Sequence, residues 1–287
     1  MRIASLVPSG TALTLALGLQ DQLCAVTDAC AATGRPVVVR SAIDSGRLDS
    51  AEIDRQVSAA AAAGESPYRV DEELLRRLAP DLVLTQDTCP VCALPGKVAR
   101  VAAAPEARVI SLSPHGLEDV LADVARVAAA AGVPERGRAL AAGLRARAAA
   151  VAARVARLAP VPVVCLEWLD PPWGAGHWLP EMVSLAGGAD PLAEPRAMSR
   201  RLTWPEVFCS GAHTAICLPC SLDLERAIAE ARAMAWPEDW AVWATDGGRL
   251  FSSGSPALWD GLEILAAILH PEAHPIGPDP ALAQRVQ

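Results

Sequence analysis

The sequence predicts an α/β chain: two Rossmann-like lobes with parallel sheets, joined by a long rigid backbone helix. Three observations carry this. Short apolar strands alternate with amphipathic helices in both halves of the chain, which is the pattern of parallel sheets covered by helices. A long stretch rich in Ala, Leu and Arg separates the two halves. The 287 residues, 52% hydrophobic and 20% charged, suffice for one large or two smaller filled cores and argue against extensive disorder.

The separating stretch runs from about Gly116 to Leu158. Its residues are good helix formers, and Pro134 suits a first helical turn because no donor is lost there. Leu140, Leu144, Val151, Val155 and Leu158 recur at helical spacing with arginines between them. This predicts one helix over 116–131 and a second over 135–158, stopped by Pro160 and Pro162. The second would span about 35 Å, enough to connect two lobes. The competing reading is a surface helix of one large α/β domain. The boundaries expected are 1–115 for the N-terminal lobe, 116–159 for the connecting helices and 160–287 for the C-terminal lobe.

In the first lobe, strand Ile3 to Val7 leads through a Pro8-Ser9-Gly10 turn into a helix from about Thr11. CAVT ends at Asp28-Ala29-Cys30, and VVVR (37–40) follows. Ser50 is a plausible N-cap for the helix after it. GESPYRV (64–70) reads as a loop, DEELLRRLAP as a helix, DLVLTQ as a buried strand and ARVISLS as a further strand. In the second lobe, VPVVCLEWL is a strand followed by a loop dense in Pro, Gly and Trp through Leu179. PEMVSLAGG is a helix, HTAICLP a strand, LDLERAIAEARAM a helix, GRLFSS (248–253) a last strand and WDGLEILAAILHPE the closing helix.

Composition excludes some functions. A net charge of −8 and no basic run outside the helices disfavour a nucleic-acid surface. No apolar run approaches bilayer length, and the N-terminus lacks the charged region and cleavage site of an export signal. A cytoplasmic protein is expected; a periplasmic one follows only if the start site is misassigned. Eight cysteines in such a chain are buried thiols, metal ligands or reactive groups more readily than disulfides.

In open parallel sheets, ligands sit beyond the carboxyl ends of the strands. That rule selects Pro8 to Gly10, Asp28 to Cys30, Thr85 to Cys92 with Gln86 between them, Glu167 to Trp178, and Pro219 to Asp223. Cys89 and Cys92 can share a soft metal ion, with Cys30 and Cys220 as third and fourth ligands. CxxC also serves redox chemistry, and two loop thiols with no such role are the bland alternative. Glu167, Trp168, Asp170, Trp173, His177 and Trp178 crowd one loop, as a pocket for a large flat ligand requires. His177 could ligate a metal or act as acid or base; it could equally be a hydrogen-bonded loop residue, and the tryptophans could plug a lobe interface. Glu65 in the GES loop is a ligand contact or a turn residue. There is no G-x-S-x-G elbow, H-E-x-x-H or P-loop.

RIASLVPSGTALTLALGL, DLVLTQ, LEWLDPPWGAGHWLPEMVSLAGG and DGLEILAAILHPE resemble the cobalamin (vitamin B12) type of class III substrate-binding protein from ABC importers. The resemblance is closer to a branch sharing the CxVCA, LEWLDPP and PCxxDLERA segments. It spans nearly the whole chain, with Asp28-Ala29-Cys30 standing where the family carries His-Glu-Cys. It implies two α/β lobes joined by a rigid helix, with ligand between them. On this reading Trp168, Trp173, His177 and Trp178, with Glu167, line one wall; Pro8, Ser9, Asp28, Glu65, Gln86 and the Cys89 loop line the other. The ligand expected is cobalamin or a related metal tetrapyrrole, a small-molecule metal complex, and the partner an ABC importer or a cofactor-handling enzyme. Two alternatives stand beside this: an enzyme on the same fold using a cysteine-bound metal or iron–sulfur cluster, and an exported importer subunit.

Overall fold

The computed structural model describes residues 1–88, 106–274 and 276–287. It divides into two compact units, Met1–Pro114 with Glu118–Ala142, and His115–Leu117 with Gly143–Gln287. The long helix Pro134–Val155 belongs in part to each unit.

Among the described residues the first unit holds six strands: β1 (Ile3–Ser5), β2 (Leu23–Thr27), β3 (Val37–Ser41), β4 (Tyr68–Val70), β5 (Leu82–Gln86) and β6 (Arg108–Leu112). They form one sheet in the order β4-β3-β2-β1-β5-β6, parallel throughout except for β4. Alternate residues of one strand enter different cores: Leu82 and Leu84 pack with Ile3 and Val124, whereas Val83 packs with Ala4, Val38 and Leu75. Both faces are covered, which is why these strands read as unbroken apolar runs.

Helices α1 (Pro8–Ala16), α2 (Ser50–Ala62), α3 (Glu72–Leu78) and α4 (Leu117–Ala130) come next. Three expectations are corrected here. Pro8-Ser9-Gly10 is the first turn of α1 rather than a turn before it, since Pro8 occupies the first helical turn and Val7 is the extended N-cap. Gly10 suits that place because a β-carbon there would lie 2.7 Å from Ser5 Oγ and 2.8 Å from Leu84 Cβ. The N-cap of α2 is Asp49, whose carboxylate accepts the Glu52 N–H at 2.8 Å; Ser50 is the first helical residue. The GESPYRV loop contains β4, an antiparallel edge strand too short and too exposed to show an apolar signal.

Helix α5 (Pro134–Val155) has 22 residues, about 33 Å of helix, and passes from the first unit into the second. Each part is tied to its own unit. Arg136 donates to the carbonyls of Leu17 and Gly18 at 3.1 and 3.2 Å. Arg147 pairs with Asp260 at 2.6 Å and Glu263 at 2.9 Å, both on α10 (Ala257–Leu269).

The second unit carries the short parallel pair β7 (Val161–Pro162) and β10 (Gly188–Ala189). Its main sheet contains β8 (Val164–Leu169), β9 (Pro172–Gly174), β11 (Thr214–Cys217), β12 (Ala241–Thr245) and β13 (Ala283–Arg285), in the order β13-β12-β11-β8-β9. The three central strands are parallel and the two edges antiparallel. Helices α6 (Leu179–Leu185), α7 (Trp204–Phe208), α8 (Leu224–Ala233), α9 (Gly247–Leu250) and α10 complete it. The strand expected at 248–253 is not there: Gly247–Leu250 is a helical turn capped by Asp246, and the strand of that region is β12. The aromatic loop after β8 likewise contains β9, which Pro and Gly concealed.

Asp123 on α4 is a buried carboxylate paired with Arg126 at 2.6 Å. Burial outweighs the arginine and raises its pKa to about 6. The folded state therefore holds this proton more tightly than the unfolded chain, so the contribution to stability is complete below about pH 4 and is lost as pH rises through 6. Urea unfolding across pH 4 to 7 is expected to show that loss, of order 2 kcal/mol, and Asp123→Asn to remove it; an identical pH profile in the variant would contradict the assignment.

Candidate functional site

Pro8, Ser9, Asp28 and Gln86 lie at strand ends of the first unit, and the Glu167–Trp178 stretch begins near the end of β8 in the second. In the first, Pro8 starts α1 at the carboxyl end of β1, and the buried Ser9 hydroxyl lies 3.2 Å from Gln86 Oε1 at the end of β5. Asp28 spends its carboxylate on backbone: one oxygen accepts the Ala29 N–H at 2.8 Å and the other the Ser41 N–H at 2.7 Å. It thereby joins the ends of β2 and β3. Glu65 is exposed and borders an open groove of about 680 Å³ shared with Arg55, Tyr68 and Arg69.

In the second unit the chain turns from β8 to β9 through a cis Asp170–Pro171 peptide, and Trp168 and Trp173 face each other as register partners. Both are half-buried. The segment 196–202 then runs back alongside this hairpin and the loop after it. Leu202 N–H donates to Pro172 O at 2.8 Å, Gly174 N–H to Arg200 O at 3.0 Å, His177 N–H to Ala197 O at 2.6 Å, and Arg196 N–H to His177 O at 3.0 Å. His177 and Arg196 both hold left-handed backbones, φ 52° and 66°, a conformation that costs most non-glycine residues about 1–2 kcal/mol.

Glu167, next to the end of β8, directs its carboxylate into this loop. Oε1 accepts the Gly176 N–H at 2.7 Å, and the Ser199 hydroxyl lies 2.9 Å from both oxygens. Trp178 is 5% exposed and donates its indole N–H to Phe251 O at 3.0 Å, so it stands in the core rather than on an open wall. The imidazole of His177 is half-buried. Its Nδ1 is buried without a hydrogen-bond partner, and the ring forms no hydrogen bond to the described residues. Burial, and then the nearby His115, lower its pKa, which keeps it neutral at pH 7 with a lone pair available.

His115 was not selected from the sequence. Its ring centroid lies 5.5 Å from that of His177, and the signal was available: it follows β6 by three residues, at a carboxyl strand end. Its neighbour Leu117 donates its N–H to Glu181 at 2.9 Å.

The cysteines divide by setting. Cys165 and Cys217 are fully buried, and desolvation raises both thiols; Cys165 lies within β8. Cys30 and Cys220 are half-buried and belong to different units. Cys89 and Cys92 lie outside the described residues. Among the described residues no group of three or more His, Cys, Asp or Glu side chains is placed to hold a metal ion, so nothing there supports a cysteine-bound metal or cluster. No described helix is long and apolar enough to cross a membrane.

A β-carbon on Gly176 would overlap the Ser199 backbone nitrogen and lie 2.7 Å from its Cα. Gly176→Ala is therefore expected to lower the thermal midpoint and destabilise by about 1–3 kcal/mol. Wild-type stability in that variant would show that the loop and the 196–202 segment are not held together as described.

No protein-family model matches the chain, and no curated protein matches it. Solved structures do. A periplasmic heme-binding protein from Pseudomonas aeruginosa is 18% identical over 99% of this chain and 97% of its own, with a TM-score of 0.71. The periplasmic heme-binding protein RhuT from Roseiflexus sp. RS-1, in apo form, is 20% identical over 95% of this chain and 98% of its own, with a TM-score of 0.69. The periplasmic vitamin B12 binding protein BtuF of Vibrio cholerae is 20% identical over 95% and 97%, with a TM-score of 0.65. At these identities and coverages the likeness is one of fold, and the chain has the two-lobed α/β fold of the class III, helical-backbone binding proteins.

Proposed function

We propose that the chain binds a metal tetrapyrrole of the cobalamin or heme class, and that loops at the carboxyl ends of its strands supply the contacts. The observation that carries this is His177: a neutral, half-buried imidazole with no hydrogen-bond partner among the described residues, held in a rare backbone conformation beside His115. Such a residue is built to be completed by something it binds. Imidazole nitrogen is a common ligand for the iron or cobalt of such cofactors, and the half-buried Trp168 and Trp173 offer flat apolar surface on the β8–β9 hairpin that leads into its loop. The names of the solved proteins, two for heme and one for vitamin B12, support the same class of ligand. Delivery to an ABC importer is the role that follows.

Absorbance titrations with hemin and with cyanocobalamin test this reading. Wild-type protein is expected to bind at least one of them, and His177→Ala to weaken that binding about tenfold or more, roughly 1.4 kcal/mol. Binding of neither, or equal affinity in the variant, would remove His177 from the contact.

The periplasmic character of all three solved proteins favours an exported protein over the cytosolic one expected from the N-terminus. Fractionation of the native cell is expected to recover the protein outside the cytoplasm; recovery with cytosolic markers alone would restore the original expectation.

A further inference from the structure

Four hydrogen bonds converge on two consecutive residues of one loop, and a further contact, Ser199 to Glu167, braces them. Gly176 N–H reaches the Glu167 carboxylate at 2.7 Å, and its carbonyl accepts the Leu179 N–H at 3.0 Å. His177 donates to Ala197 O and accepts from Arg196 N–H. The Ser199 hydroxyl ties the same carboxylate to the returning segment. Gly176 passes so close to Ser199 that only glycine fits. A left-handed histidine persists only where its surroundings over-determine it, and charge-assisted bonds to a carboxylate are the strong ones in this set.

We propose that Glu167 and Ser199 are positioning residues: a carboxylate–hydroxyl clamp that locks the 196–199 segment onto Gly176 and thereby fixes the left-handed His177 and the direction of its imidazole. This extends the ligand reading above, because it assigns Glu167 to the loop rather than to the ligand, and it rests on that reading only for the consequence in binding. The clamp works in two steps. The carboxylate is held against Gly176 and Ser199 at the end of a central strand, so its place is set by the sheet. The segment it captures then supplies the two backbone bonds that bracket His177. Removing either member leaves those two bonds to carry the conformational cost alone.

The test uses Glu167→Ala, Ser199→Ala and Glu167→Gln in the full chain. In ligand-free protein, the His177 backbone carbon shifts and its amide–Hα coupling report the sign of φ by NMR. Both alanine variants are expected to lose the left-handed signature at His177 while retaining wild-type far-UV circular dichroism. Glu167→Gln, whose amide oxygen can still accept the Gly176 N–H, is expected to lie closer to wild type than to Glu167→Ala. With hemin as probe, the alanine variants are expected to bind about tenfold more weakly. A folded Ser199→Ala or Glu167→Ala protein that keeps the left-handed signature overturns the clamp, and if Glu167→Ala does not fold, Ser199→Ala decides alone. Loss of the signature with unchanged hemin affinity upholds the clamp and overturns His177 as a ligand contact.

Discussion

The Glu167 carboxylate is the interaction on which the candidate site of the second unit depends. Its backbone belongs to β8, a strand flanked by β11 on one side and β9 on the other, and its carbonyl also accepts the Cys220 N–H at 2.9 Å. The side chain leaves that fixed base and binds Gly176 and Ser199, residues 9 and 32 positions away in the chain. A partly buried carboxylate is costly unless its lone pairs are met, and here a backbone amide and a hydroxyl meet them. The loop is consequently held by a charged group that would be left unsatisfied if the loop moved. That makes one conformation of a Gly-rich segment much preferred over the others.

The same logic of strand ends governs the first unit by different means. Parallel strands require crossover connections, so successive loops return to one edge of the sheet, and that edge collects polar groups. Ser9 and Gln86 answer each other there, and Asp28 closes β2 onto β3 through two backbone amides. These side chains satisfy the edge itself. In contrast to His177, the Asp28 carboxylate already has a protein donor on each oxygen, so a ligand approaching it would compete with two short bonds.

How much of this was legible in the sequence follows from which forces act locally. Buried parallel strands are apolar on both faces, so β1, β5, β8 and β11 announced themselves as runs. The helices at Leu117–Ala130 and Pro134–Val155 were legible through composition and the Pro134 start. Edge strands were not: β4 and β9 are three residues each, and β9 begins at Pro172 and ends at Gly174. GRLFSS (248–253) read as a strand, yet Gly247 lies against the Leu218 and Pro219 backbone where a β-carbon would overlap it, a constraint invisible without the fold. Residue type pointed to His177. The role of Glu167 could not be read, because Ser199 belongs to a segment with no periodic signal of its own, and His115 was passed over although strand-end logic reached it.

The soft donors of the chain can be ranked by what each would have to give up. Cys165 and Cys217 are protonated and enclosed, and ionising either would place a thiolate in an apolar core, which burial strongly opposes. Cys30 and Cys220 are partly accessible and belong to different units. His177 gives up nothing: it is already neutral, its ring bonds to none of the described residues, and the cost of its backbone conformation is met before any ligand arrives. Preorganisation of that kind lowers the ordering cost of binding. On the tetrapyrrole reading proposed above, with a metal that prefers a neutral nitrogen, the imidazole is therefore the donor with the least to give up among these groups.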